Sequence, residues 1–236
     1  MSSWKDLAGS TRRSNRRGAK AVRKLLDATL PAFASHCRRY FDHTNELPFI
    51  YSEKQLHSIL VPAFTDIAEV VFREQPIRRD QTSPSVSGWV DYWLERKNKV
   101  FLLELKHGFL NASTGKLTTE EAAKWTVMEE QLASNRAVAL PDLLEDPDKA
   151  HVVGVFVMVH YVAGDRRDQS HAERAACWKR HMDVVRSLDA TASSPASVHA
   201  LWMVPRDMQF TDWTRTAQTF PAVSFLMTEL PGTPAL

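Results

Sequence analysis

Two β-rich runs separated by four polar residues constrain the fold of this chain more than any other feature. Trp89–Glu95 and Val100–Lys106 are dominated by aromatic and aliphatic residues, and Arg96-Lys97-Asn98-Lys99 stands between them. That pattern predicts a β-hairpin. With Lys97 and Asn98 as the central turn residues, Arg96 faces Lys99 and Asp91 falls directly opposite Glu104. Their Cβ atoms would then lie about 4.5–5.5 Å apart on one face of the sheet. Lys106, two residues beyond Glu104, points to the same face, and a one-residue slip in register would break the alignment.

The remaining pattern wraps this hairpin in helices. From Gly18 to about Tyr40 the residues Val22, Leu25, Leu26, Leu30 and Phe33 recur at helical spacing, with Pro31 as a kink or break. A second helix is expected to start after Ser52, a good N-cap, and to run to about Phe72. Its stripe is Leu56, Ile59, Leu60, Ala63, Phe64, Ile67 and Val70/Val71. A short strand over Glu74–Arg79 and a polar turn over Asp80–Ser87 lead into the hairpin. Beyond it come a loop over 107–117, a helix from the capping box Thr118/Glu121 to about Val138, and an apolar strand over 151–162. A helix over 171–188 and strands near 198–204 and 222–228 complete a mixed α/β order. The expected division is a basic arm with its helix over 1–47 and one domain over 48–236.

Charge and composition narrow the class. Residues 1–24 carry eight Lys or Arg against the single acid Asp6, a surplus of +7, whereas the whole chain is only +2. Arg12, Arg13, Arg16, Arg17 and Lys20 therefore form a candidate nucleic-acid-binding arm, with a solvated terminus as the other reading. The longest clean apolar run, Val152–Val159, is eight residues, against the roughly 20 needed by a membrane helix. Arg23, Lys24 and Asp27 interrupt any apolar segment after the basic N-terminus, so no secretory signal is expected. Two cysteines give neither a disulfide framework nor a zinc set. A cytoplasmic protein without a membrane partner is the expectation.

Two opposed carboxylates in an apolar hairpin repel each other and are costly to bury unpaired. A hard divalent cation with oxygen ligands would neutralise Asp91 and Glu104, and Mg²⁺ is typically held by one or two carboxylates with waters and substrate phosphate. Such a site activates water, and a nearby Lys can orient it or offset developing charge. The purely structural reading pairs Lys106 with Glu104 and leaves Asp91 at a solvated strand end.

Gly88-Trp89-Val90-Asp91, twelve intervening residues, then Glu104-Leu105-Lys106 resembles the core motif of the PD-(D/E)xK nuclease superfamily. The likeness covers roughly residues 52–162 and extends to the order helix, strand, Asp hairpin, E-x-K strand, helix, strand; Val90 stands where the motif has Pro. The resemblance implies an α/β fold: a restriction-endonuclease-like mixed β-sheet flanked by helices, here with an N-terminal helical extension. It implies that Asp91, Glu104 and the Leu105 carbonyl bind Mg²⁺ or Mn²⁺ and that Lys106 is catalytic. It also implies an added carboxylate from the preceding helix. Glu53 fits that place best, with Glu69 and Glu74 as rivals and a helix-dipole role as the other reading. A polar residue from the helix after E-x-K is implied as well. Lys124, Met128, Gln131 and Asn135 share a face there, and Gln131 lies on the line toward the site.

Other motifs fall away. Nine histidines show no H-E-x-x-H spacing, and His107 should point away from the Lys106 face as a loop or core-edge residue. No phosphate-cradling glycine loop and no G-x-S-x-G elbow is present. Trp178, Trp202 and Trp213 read as packing. The reading is a metal-dependent nuclease, a hydrolase acting on DNA with RNA not set apart, in phage defence, restriction or DNA processing. Double-strand cutting would call for a homodimer. The alternative is a catalytically inactive nuclease-fold module that binds nucleic acid or a partner protein.

Overall fold

The computed structural model describes residues 19–78, 87–143, 149–165, 171–191, 198–209, 211–212 and 217–230. Four helices, α1 (Ala19–Thr44), α2 (Glu53–Thr65), α3 (Thr119–Leu143) and α4 (His171–Thr191), cover a seven-stranded mixed sheet. The strands are β1 (Val70–Arg78), β2 (Ser87–Glu95), β3 (Val100–Asn111), β4 (Ala150–Ala163), β5 (Val198–Met203), β6 (Thr211–Asp212) and β7 (Gln218–Glu229). Their spatial order is β1-β2-β3-β4-β7-β5, with β6 on β7; β3 and β4 run parallel and every other described pair antiparallel. No described helix is long and apolar enough to cross a membrane.

β4 shows why the layers form. Its odd positions Val153, Val155, Val157 and Val159 join the core beneath α1 and α2, whereas Val152, Phe156 and Met158 join the core beneath α3 and α4. A strand covered on both faces carries apolar residues at nearly every position, which is what its sequence shows. α1 belongs to the first of these cores. Phe33 meets Trp202 and Phe225 edge-on at centroid separations of 5.6 and 5.0 Å, a favoured arrangement for buried aromatic pairs. Pro31 lies within α1 without ending it.

Several element boundaries differ from the sequence reading. α2 stops at Thr65 rather than near Phe72, and Val70 and Val71 pair with Glu95 and Leu94 of β2. Local helical periodicity loses there to a ladder with a strand more than twenty residues away, which β-branched residues favour. β1 begins at Val70 for the same reason, not at Glu74. β3 runs on to Asn111 through residues expected to be a loop, because the parallel ladder continues to Asn111↔Tyr161. α1 reaches Thr44, α3 reaches Leu143, and β7 starts at Gln218, each longer than expected. The polar segment 79–86, most of the basic arm and Trp213 lie outside the described residues.

Candidate active site

The site sits where β2 parts from β3. The hairpin has the expected register: Tyr92↔Leu103, Trp93↔Leu102, Leu94↔Phe101 and Glu95↔Val100. Lys97 and Asn98 both have positive φ, 50° and 58°, and Arg96 and Lys99 exchange backbone hydrogen bonds of 2.9 and 3.1 Å. These are the dihedral signs and pairing of a two-residue type I′ turn. The ladder ends at Tyr92↔Leu103, one step short of Asp91 and Glu104. The two carboxylates are therefore not a directly laddered pair, as the register alone would have made them. On the other side of β2, Glu74 has φ +56° and drops out of the β1 ladder opposite Asp91.

Parting of the strands leaves the β3 edge without its backbone partners, and carboxylates take their place. Leu105 N–H donates to Asp91 Oδ2 at 2.7 Å, and the backbone N–H of His107 faces Glu53 and favours its charged form. In a strand a residue's N–H and C=O face the same edge, so the Leu105 carbonyl also faces the opening. Glu53, the first residue of α2, feels Lys106, Asp91 and Lys124. Burial raises its pKa, Lys106 draws it back down, and Asp91 pushes it up again. One helical turn on, His57 bonds through Nδ1 to the Tyr92 hydroxyl, tying α2 to β2. Burial lowers the His57 pKa and raises that of Tyr92.

Glu104 and Lys106 share the face of β3 that looks toward α3. Glu104 is 3% exposed; Lys106 Nζ donates to its Oε1 at 3.0 Å, and Asn135 Nδ2 to its Oε2 at 3.4 Å. The structural ion pair weighed from the sequence is thus present. From α3, Asn135 hydrogen-bonds Glu104, while Gln131 Oε1 is buried without a hydrogen-bond partner. Further toward the start of α3, Glu121 N–H donates to Thr118 Oγ1 at 3.2 Å, half of the capping box. The Glu121 carboxylate turns instead to Lys124, at 3.0 Å.

The rivals to Glu53 are engaged by other partners. Glu69 Oε2 accepts the Lys97 N–H at the hairpin turn, and Glu74 pairs with Arg73 at 2.9 Å. His107 is buried, with Nε2 against the Phe49 carbonyl at 2.9 Å. Burial pushes its pKa down to about 4, which the Phe49 carbonyl partly opposes. Of the candidate arm, Lys20 is exposed on α1, whereas Arg12, Arg13, Arg16 and Arg17 lie outside the described residues.

Chemically, Glu53, Asp91 and Glu104 bring three carboxylates against the single ammonium of Lys106, and the Lys124–Glu121 pair adds no net charge. Asn135 Oδ1 is a buried acceptor with no partner. A surplus of hard oxygen donors drawn from separate elements suits a hydrated Mg²⁺ or Mn²⁺ better than a closed cage. Among the described residues no three His, Cys, Asp or Glu side chains are gathered closely enough to enclose one ion. Sequence reasoning missed His57–Tyr92 and the part of Glu121 beyond its cap; the four-residue step from Glu53 to His57 was the available signal for the first. Comparison of the chain with models of known families, with curated proteins and with solved structures returns no match.

Proposed function

We propose that the protein is a divalent-metal-dependent nuclease of the PD-(D/E)xK type, with a restriction-endonuclease-like fold, hydrolysing phosphodiester bonds of DNA. The observation that carries this reading is that Asp91 takes the Leu105 N–H, between the ion-paired Glu104 and Lys106, at the point where β2 leaves β3, with Glu53 of α2 within electrostatic reach of Asp91 and Lys106. The order α2-β1-β2-β3-α3-β4, antiparallel up to β3 and then parallel, supports it.

Asp91, Glu104 and the Leu105 carbonyl would hold the cation. When bound, it would supply a water of lowered pKa and offset charge on the phosphate. Lys106 is placed to orient the attacking water or to stabilise the charge that develops in the transition state. The Leu105 N–H fixes Asp91, so that carboxylate is oriented before substrate arrives.

Cleavage of plasmid and oligonucleotide DNA by Glu104→Ala and Lys106→Ala tests the reading. Each should cut about 10²-fold more slowly than wild type or worse; cutting at the wild-type rate by either one would make the mechanism wrong. One observation favours a second reading. Glu104 is already neutralised by Lys106, and Asp91 is already hydrogen-bonded, so the cluster can serve structure alone. That reading, a nucleic-acid- or protein-binding module, predicts binding that persists without divalent metal and no cleavage with it.

A further inference from the structure

Glu121 stands in a place that neither helix capping nor the catalytic motif explains. It is 6% exposed. Its Oε1 takes the Lys124 ammonium at 3.0 Å, but its Oε2 is buried with no hydrogen-bond partner. A buried carboxylate oxygen left open is costly unless something comes to it.

The place itself is built for that oxygen. Residue 108 is glycine, and a Cβ there would overlap Glu121 Oε2 and stand 2.9 Å from Phe156 Cε2. The missing side chain is what admits the carboxylate. Glu104, Lys106 and Gly108 alternate onto the same face of β3, the one toward α3. Lys106 therefore has two carboxylates along its own row. It is bonded to Glu104 on one side, and about 7 Å along the strand on the other side the Glu121 oxygen occupies the side-chain position of residue 108.

We propose that Glu121 is the positioning residue that receives the Lys106 ammonium when Glu104 exchanges it for a divalent cation. The inference rests on the nuclease reading above. As the structure stands, Lys106 takes Oε1 of Glu104 and Asn135 its Oε2, so a cation bound through Oε1 must displace the ammonium. Two cations cannot share that oxygen cheaply, and Lys106 is only 17% exposed, so water is a poor alternative partner. The four-carbon stem of lysine lets its ammonium swing while the backbone stays in the ladder. Lys124, which now pairs with Glu121 Oε1, also has Glu120 at 3.5 Å, so Glu121 can take the displaced ammonium on its open oxygen.

The test is calorimetric titration of the full chain with Mn²⁺, in the presence of an uncleavable phosphorothioate DNA duplex, with circular dichroism to show that each variant is folded. Glu121→Gln removes the receiving charge. Gly108→Ala displaces the carboxylate without altering it, and covers the case in which Glu121→Gln fails to fold. Each should weaken Mn²⁺ binding about tenfold or more, the usual scale for residues behind the ligands of a metal. In a Lys106→Met background there is no ammonium to receive, so adding Glu121→Gln should leave the affinity unchanged. An equal loss in both backgrounds would mean that Glu121 acts only as a remote negative charge, and no loss in either would mean that it does nothing; both overturn the proposal while leaving the nuclease reading intact. If Asp91→Ala/Glu104→Ala binds Mn²⁺ as wild type does, or wild type takes up none, the site itself is wrong and the proposal falls with it.

Discussion

At the scale of single residues, the candidate site combines acidic side chains with backbone repair. Asp91 is not only a candidate ligand; it accepts the Leu105 N–H that the β3 edge would otherwise leave open, and Glu53 faces the His107 N–H. Removing such an acceptor leaves a donor unsatisfied, at a cost of about 1–3 kcal/mol. Asp91→Ala should therefore lower stability by about that much in urea unfolding, and an unchanged or raised midpoint would show that water reaches the Leu105 N–H. The motif residues themselves were readable from spacing, because a two-residue turn fixes the register and Lys97–Asn98 provides one. The parting of the strands at Asp91 was not readable. It coincides with the left-handed backbone of Glu74 opposite Asp91, a residue on another strand that carries no glycine or asparagine signal.

At the scale of elements, α4 is joined to the sheet by a chain of buried polar groups. His160 of β4 meets the Ser224 hydroxyl of β7 at 2.6 Å, Ser224 meets His181 Nδ1 of α4 at 2.8 Å, and His181 Nε2 meets His199 Nδ1 of β5 at 2.9 Å. Burial pushes the His160 pKa down to about 3, and burial with the neighbouring His199 and His160 pushes His181 down to about 2. The unfolded chain binds protons at these sites from about pH 6.5 downward, and the folded chain does not. Stability is thus unaffected above about pH 6.5 and declines as pH falls below it, by up to about 1.4 kcal/mol per pH unit for each such histidine. Urea midpoints between pH 7 and 5 should show this slope in wild type. His181→Gln should flatten it by about one proton's worth; an unaltered slope would mean that His181 is protonated in the folded state. None of this network was readable in the sequence. Its members come from four elements, and each histidine alone resembles any other.

At the scale of the whole molecule, the question is where the folding unit begins. The basic residues before Lys20 and the helix after them looked like an appendage to a domain starting near residue 48, because the motif-bearing segment begins there. The core runs the other way. Val22, Leu25, Leu26, Leu30, Phe33 and Cys37 of α1 are buried in one cluster with α2, β3, β4, β5 and β7. Phe33 alone touches Phe49, Trp202 and Phe225. A chain reduced to residues 48–236 would expose the apolar surface that these side chains cover, including the face of β4 and β7 opposite α3. Loss of a single buried Phe or Leu typically costs several kcal/mol, against a total domain stability of about 5–15 kcal/mol. The truncated chain should bind a hydrophobic dye and melt without a cooperative transition. A sharp thermal transition with native near-ultraviolet circular dichroism would show instead that α1 docks onto a core complete without it. The expectation of collapse follows from the sheet's width. The motif's spacing marks out β1 to β4, but β7 and β5 extend the same sheet beyond it, and α1 is packed on that extension.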